Sequence, residues 1–244
     1  MEILTCYQTK NPCYKAARPA RHIGVLVHST GANNRNLCRY VDEPVRLGRN
    51  PYNNHWNKDS ATKCMHAFVG LDASGGVIVA QTLPYDYACW GCGKGVKGSY
   101  NRDPVAHIQF EICQGSNNDT EYYAKAIGVA AEYCAHLCRL NGWTAADIVS
   151  HREAARAGYA SNLGDPESWM KCFGDDMDRF RARVTALLSG DAQEGGDDPG
   201  EPDEELPPTY VVTIPNVDRA TADKLCAAYP DAVALELTDG NCNG

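Results

Sequence analysis

The sequence predicts an α/β fold, with a mixed central β-sheet flanked by helices and a small β-α-β appendage at the C-terminus. Short apolar runs of strand length alternate over the first 190 residues with segments whose apolar residues recur at helical spacing. Residues 190–208 are rich in Gly, Pro and acidic residues, which predicts an extended linker. The pattern of apolar residues over 209–244 predicts one strand, one helix and a second strand. The chain therefore divides into a main domain over 1–189, a linker over 190–208 and a small C-terminal module over 209–244.

Four strands of the main domain are predicted by apolar runs that are bounded by turn signals. Residues 23–27 form a continuous apolar run, which predicts a buried strand. Residues 64–71 and 76–83 flank the turn-forming segment Asp72-Ala73-Ser74-Gly75, which predicts a hairpin. Residues 147–150 predict a further short strand.

The segment 107–113 alternates polar and apolar residues, as a strand with two different faces does. This alternation places one set of side chains on one face and a second set on the other: His107, Gln109 and Glu111 against Ile108, Phe110 and Ile112.

Two long helices are predicted in the second half of the main domain. The first follows a capping-type start at residues 118–121, and its apolar residues recur at helical spacing. These residues are Ala124, Ile127, Ala131, Cys134 and Cys138. A last helix begins near Asp175, and its apolar face consists of Met177, Phe180, Val184 and Leu187.

The net charge of −8 is concentrated in the linker, where residues 191–205 hold eight acidic side chains and no basic one. Residues 1–190 hold 18 acidic and 21 basic side chains, so the main domain can approach an anionic polymer. Basic side chains do not alternate with aromatic ones, which excludes a nucleic-acid-binding stripe. No run of 18 apolar residues is present, which predicts that the chain does not span a membrane.

Twelve cysteines are a high number for a chain of this length. The length and the absence of a signal peptide argue against a disulfide framework. Cys134 and Cys138 lie one helical turn apart and are expected in the core. Cys89 and Cys92 form a CxxC pair, but the pair does not open a helix after a strand, so a redox role is not favoured.

His28 and His151 each follow a predicted strand, and Asp165 lies fourteen residues after His151. A single histidine of this kind is usually a surface or hydrogen-bonded residue. Two imidazoles and a carboxylate, however, leave one tetrahedral position free, as a hydrolytic zinc requires for its water. The sequence therefore makes these three residues candidate zinc ligands, although their wide spacing alone does not establish them.

Glu111 is the candidate acid/base. Its place in the alternating segment is consistent with the solvent face of an edge strand. It is also consistent with a carboxylate that removes a proton from the attacking water and passes it to a leaving amine.

Several motifs resemble those of N-acetylmuramoyl-L-alanine amidases of phage and prophage endolysins, which share a fold with peptidoglycan recognition proteins. The motifs occur in order between about Lys10 and Leu188. They are VLVHSTGA (25–32), YNNHWN (52–57), CMHAFVG (64–70), HIQFEIC (107–113), SHRE (150–153) and ASN (160–162). The resemblance implies a zinc groove across a mixed sheet, with His28, His151 and Asp165 as zinc ligands and Glu111 as catalytic acid/base.

The sequence departs from this family's pattern at three places. Many relatives have a lysine or histidine, which can stabilise the oxyanion, where this chain has Leu163. They also have Trp-His in place of Trp90-Gly91 and His-Trp in place of Ser168-Trp169. The residue that stabilises the oxyanion is therefore unassigned: zinc itself can serve, and Arg152 and Asn162 lie nearby in sequence without a position that the sequence fixes.

Three further histidines have no assigned ligand role. Structural roles are expected for His55 and His66, whereas His107 is a candidate for the wall of the groove.

The resemblance implies peptidoglycan or soluble muropeptides as substrate and a bacteriolytic, endolysin-like role. Two alternatives remain at this point: a non-catalytic peptidoglycan-binding module, and a cytosolic amidase that recycles muropeptides. The absence of a signal peptide predicts synthesis in the cytoplasm and access to the cell wall through a separate export or lysis system. The module over 209–244 is expected to bind the wall or to self-associate, making the protein a homo-oligomer.

Overall fold

The computed structural model describes residues 1–190. The predicted linker beyond Gly190 and the predicted module over 209–244 lie outside the described residues.

Six strands form one mixed sheet with the spatial order β1-β4-β3-β5-β2-β6. In chain order they are β1 (Ile3–Thr5), β2 (Val25–Ser29), β3 (Ala67–Leu71), β4 (Val77–Gln81), β5 (Ile108–Ile112) and β6 (Ile148–Ser150). β3 and β4 form an antiparallel hairpin, and every other pair of neighbours is parallel. β2 therefore lies between two parallel partners, β5 and β6.

Within residues 1–190, six α-helices surround the sheet. They are α1 (Pro12–Ala16), α2 (Pro44–Leu47), α3 (Thr120–Asn141), α4 (His151–Ala157), α5 (Glu167–Met170) and α6 (Met177–Ser189). The long helix α3 begins at the N-cap Asp119, whose side chain accepts a hydrogen bond from the backbone of Tyr122, and it ends at Gly142 in the left-handed conformation. α6 begins in the same way, at the N-cap Asp176.

The main core lies between one face of the sheet and the helices α3 and α6. Phe110 on β5 is fully buried there, and its ring meets the ring of Tyr133 on α3 edge to face at 5.1 Å. Cys134 and Cys138 on α3 are also fully buried, which confirms the prediction that they are core residues.

The opposite face of the sheet is covered by loops and short helices. There Phe68 on β3 packs against Tyr40 and Trp56, and Leu26 on β2 packs against Ala154 on α4. Because side chains alternate along a strand, β2 and β5 direct their remaining side chains to this second face.

The fold class and the main elements agree with the sequence-based predictions, including the hairpin, the strand before His151 and both long helices. The prediction that β5 could be an edge strand with a solvent-exposed face is wrong. β5 lies between β3 and β2, and all five of its residues are buried. The three-residue strand β1 and the short helices α1, α2, α4 and α5 were not predicted, because they are too short to show a clear hydrophobic period.

The ten cysteines among residues 1–190 are all unpaired. Eight of them are buried, Cys38 is half-buried and Cys172 is exposed. Cys89 and Cys92 are both buried, and burial raises the pKa of each thiol, which is unfavourable for a redox pair that reacts through a thiolate.

Among residues 1–190, no helix is long and apolar enough to cross a membrane.

Two histidines, His22 and His66, are held neutral where their rings meet. The rings of His22 and His66 meet edge to face at 4.9 Å. Burial, together with charge repulsion from neighbouring histidines, lowers the pKa of His22 to about 4 and that of His66 to about 3. In the unfolded chain both histidines have a pKa near 6.5. As the pH falls from 6.5 toward 4, the unfolded chain therefore takes up protons that the folded chain does not, and the folded state loses stability.

We therefore expect the free energy of unfolding to decrease between pH 7 and pH 5, as measured by urea denaturation. The variant His66→Gln keeps a donor for the carbonyl of Tyr87 and an acceptor for the backbone N–H of Gln109, the two partners of His66, but cannot titrate. Its free energy of unfolding should decrease less over the same interval. An identical decrease in both proteins would contradict this account.

Candidate metal centre

The sheet brings His28 and His151 to the same edge. His28 is the fourth residue of β2, and His151 directly follows β6 as the first residue of α4. Since β2 and β6 are parallel, their carboxyl ends meet on one side of the sheet. The capping box of Ser150 and Glu153 starts α4 immediately after the strand and fixes the position of His151.

Asp165 completes the group from the loop between α4 and α5. The three side chains each offer a ligand atom, and these atoms all lie within 4.8 Å of one another. The Nδ1 atoms of the two histidines are 2.9 Å apart. The carboxylate of Asp165 lies 3.2 Å from Nδ1 of His28 and 3.4 Å from Nδ1 of His151.

The other ring nitrogen of each histidine is bonded to a neighbouring group. Nε2 of His151 lies 2.9 Å from the carbonyl oxygen of Ser161, which can only accept a hydrogen bond. Nε2 of His28 lies 3.1 Å from Oε1 of Gln109. His151 therefore carries its proton on Nε2 and directs the lone pair of Nδ1 toward Asp165 and His28.

This arrangement fits a divalent metal ion. Two imidazole nitrogens and a carboxylate face one another with no donor between them, and such a group is stable only around a cation or a proton. Burial raises the pKa of Asp165, but the hydrogen bonds and the charge of a histidine that carries a proton on Nδ1 outweigh this effect and hold the pKa of the carboxyl well below its usual range. A bound cation would take the place of that proton. Burial also lowers the pKa of His28, which keeps its ring neutral and able to act as a ligand. Two nitrogens and one oxygen are the donor set of a hydrolytic zinc site.

Glu111 lies beside this group on β5, where it is paired in register with His28 on β2. Its side chain is 9% exposed, and no group among residues 1–190 hydrogen-bonds to its Oε2 atom. Burial, reinforced by repulsion from Asp165 and opposed by Lys63, raises the pKa of Glu111 to about 8. Such a carboxyl group can both take up and release a proton near neutral pH.

A cleft of about 450 Å³ opens onto these four residues. Its walls come from the segments that follow β2 and β5 and from the loop that carries Asp165. The lining residues include Ser29, Thr30, Lys63, Gln114, Asn117, Leu163 and Ser168.

Arg152 and Asn162, which lie near Leu163 in sequence, do not line the cleft. Arg152 instead hydrogen-bonds to Ser168 and lies near Glu167. Leu163 does line the cleft and is 55% exposed. The cationic group in the lining is Lys63, which sequence reasoning missed because it lies in a loop with no motif of its own.

The remaining histidines lie outside the cleft lining. His107, the candidate for the groove wall, is 6% exposed, bonds to the carbonyl of Val105 and stacks on Tyr100. The prediction that it lines the groove is therefore wrong. His66 is fully buried with both ring nitrogens bonded, in agreement with the structural role expected for it.

Residues 18–168, more than half of the chain, match the profile of the family described as N-acetylmuramoyl-L-alanine amidase. The chain belongs to this amidase family. The matched region contains His28, Glu111, His151 and Asp165, so the cleft lies in the part of the chain that defines the family. No curated protein sequence matches the chain significantly.

Solved structures of amidases share the fold. The hydrolase AmiA of Staphylococcus aureus superposes with a TM-score of 0.56 at 18% identity, covering 77% of this chain and 83% of AmiA. The catalytic domain of XlyA gives a TM-score of 0.51 at 20% identity, with 75% and 99% covered. A mutant endolysin from Bacillus subtilis gives 0.50 at 20% identity, with the same coverage of 75% and 99%. At these identities, the likeness establishes the shared mixed sheet flanked by helices.

Family membership makes this chain a peptidoglycan amidase, which hydrolyses the amide bond between N-acetylmuramic acid and L-alanine. This agrees with the function that the sequence motifs imply.

Proposed function

We propose that this amidase is zinc-dependent, with His28, His151 and Asp165 as the ligands and Glu111 as the catalytic acid/base. The observation that carries the proposal is the convergence of the two Nδ1 atoms and the carboxylate within 4.8 Å, at the base of a cleft that also holds Glu111. A bound zinc ion supplies a Lewis acid, which polarises the lactyl carbonyl and increases the acidity of water.

The protein's own groups perform the proton transfers. Glu111 removes a proton from the attacking water and later donates it to the nitrogen of alanine as the amide bond breaks. Its unpartnered Oε2 atom and its raised pKa suit both steps, because the same carboxyl group must accept and then release one proton. Lys63 contributes a positive charge on the wall of the cleft, where the carbonyl oxygen becomes anionic.

A non-catalytic binding module is disfavoured, because all four groups that hydrolysis requires are present and lie together. An enzyme that recycles soluble muropeptides remains the second candidate. We favour a bacteriolytic enzyme of the endolysin type, released to the cell wall by a separate system, since the linker and the additional module over 209–244 have no evident use in recycling. The rate on intact walls relative to soluble fragments distinguishes the two.

The ligand assignment is tested by the variant His28→Ala. We expect it to lose zinc and activity together, because two remaining ligands hold the ion weakly. Metal content by mass spectrometry and release of alanine amino termini from purified walls are the measurements. His136→Ala, which removes a half-buried histidine on α3, is the matched control and should retain both. If His28→Ala kept one zinc per chain with native affinity, the ligand set would be wrong.

The acid/base assignment is tested by Glu111→Gln. This variant should fold and retain zinc, while its turnover number drops by roughly 10²-fold or more, the usual contribution of general acid–base catalysis. Glu153→Gln is the matched control, because a glutamine oxygen can still accept the capping-box hydrogen bond from the backbone of Ser150, which positions His151, while the ion pair with Arg181 outside the cleft is lost. It should lose some stability and keep its turnover. Near-normal turnover of Glu111→Gln would place the proton transfer elsewhere.

We further propose that the module over 209–244 binds the wall or pairs with a second copy of itself. Its 36 residues are few for an independent core, and pairing of two strand–helix–strand units would complete one sheet.

A truncated chain ending at Gly190 should remain folded, because all six strands and the C-cap of α6 precede the cut. We expect it to cleave soluble muropeptides at the full-length rate, but to be monomeric and weaker on intact walls. Light scattering and a wall-sedimentation assay measure the two properties. Equal particle stoichiometry would exclude self-association, and equal wall binding would exclude targeting.

A further inference from the structure

The side-chain amides of Gln109 and Asn101 connect His28 to the backbone of residues 91 and 92. Gln109 on β5 is fully buried. Its Oε1 atom lies 3.1 Å from Nε2 of His28, while its Nε2 atom lies 3.1 Å from the carbonyl oxygen of Tyr100 and 3.0 Å from Oδ1 of Asn101.

The orientation of both amides is determined by backbone groups. The backbone N–H groups of Gly91 and Cys92 lie 3.0 and 3.1 Å from Asn101 and can only donate, so the atom that faces them is the oxygen of Asn101. The carbonyl of Tyr100 can only accept. Gln109 therefore turns its NH₂ group toward Asn101 and Tyr100, and its oxygen toward His28.

This orientation fixes the tautomer of His28. A glutamine oxygen can only accept, so Nε2 of His28 carries the proton, and Nδ1 carries the lone pair. That Nδ1 atom is the one that lies 2.9 Å from Nδ1 of His151 and 3.2 Å from Asp165. The backbone at Gly91 and Cys92 is thus connected to the metal-facing lone pair through two side chains.

We propose that Gln109 and Asn101 are positioning residues, which hold His28 as the Nε2–H tautomer with its ring directed at the metal position. This inference rests on the proposed zinc site and adds the group that prepares one of its ligands. Hydrogen bonds to the outer nitrogen of a ligating histidine fix its orientation and increase its basicity.

Gly91 supplies independent support. A Cβ atom at this position would lie 2.4 Å from Oε1 of Gln109 and 2.6 Å from the sulfur of Met65. Any side chain there would displace the amide from His28. The glycine is therefore a condition for the contact between Gln109 and His28, and it occupies the position where many relatives carry a histidine.

The test compares zinc affinities by competition with a chromophoric chelator. Gln109→Leu keeps the approximate shape of the side chain but offers His28 no acceptor, and its affinity for zinc should fall by roughly 10- to 100-fold. Asn101→Asp retains the acceptor for Gln109 and should keep the native affinity, whereas Asn101→Leu should weaken it. Gln81→Leu is the matched control: Gln81 is a buried glutamine on β4 with a single bond to Leu83, and its loss should leave zinc affinity unchanged.

A second measurement reads the tautomer directly and does not depend on amidase activity. In the metal-free protein at pH 8, nitrogen NMR of the His28 ring should show a protonated Nε2 and an unprotonated Nδ1, and Gln109→Leu should show a mixture. The proposal is overturned if native His28 is protonated on Nδ1, or if folded Gln109→Leu binds zinc as tightly as the native chain or no more weakly than Gln81→Leu. If the native chain itself binds no zinc, the proposed zinc site fails instead, and the NMR result still decides whether Gln109 sets the tautomer.

Discussion

The parallel pairing of β2 with β5 on one side and β6 on the other is the constraint on which the site depends. It aligns the carboxyl ends of three strands that are far apart in sequence, and each strand delivers one reactive side chain to the same edge. The register places His28 directly opposite Glu111. A slip of one residue in β2 would turn His28 toward α3 and bring a valine or a serine into its place. The apolar contacts of Val25 and Val27 with the main core therefore fix the position of the ligand as much as that of the strand.

Burial at this edge of the sheet acts in opposite directions on neighbouring groups. It raises the pKa of Glu111 toward neutral pH and lowers that of His28, which keeps the imidazole uncharged. The lone pairs of two neutral imidazoles do not stabilise the carboxylate of Asp165, which lies 3.2 and 3.4 Å from them. The result is a set of lone pairs around a carboxylate, which costs free energy until a cation is bound. A metal ion that binds only the folded chain would offset this cost and raise the free energy of unfolding, so metal binding and folding would be linked.

Local patterns were sufficient to predict the elements that carry the site. The apolar run before His28, the alternation over 107–113 and the strand before His151 each show their period within a few residues.

The hydrogen-bond and charge partners of the candidate ligands were not predictable in this way. Asn101 comes from a loop, Lys63 precedes β3, and their proximity to β5 depends on the path of the chain over the second face of the sheet. The role of Gln109 was likewise hidden, because alternation gives the face of a side chain but not its hydrogen-bond partner. The error at His107 has the same origin: its ring lies on the predicted face but stacks on Tyr100 instead of reaching the cleft.

The departures from the family's sequence pattern can be understood from these tertiary contacts. At residue 91, the absence of a side chain leaves the space that the amide of Gln109 occupies, so the contact between Gln109 and His28 depends on the glycine.

At residue 163, an exposed leucine replaces a cationic residue, and the positive charge of the cleft is instead provided by Lys63 from the segment before β3. Lys63 acts on Glu111 through space and opposes the effect of burial on its pKa. At residue 163, a group that relatives place two residues before Asp165 is thus replaced by one that reaches the cleft through the fold. The chemistry of the cleft is therefore a property of the assembled sheet, and the motifs record only part of it.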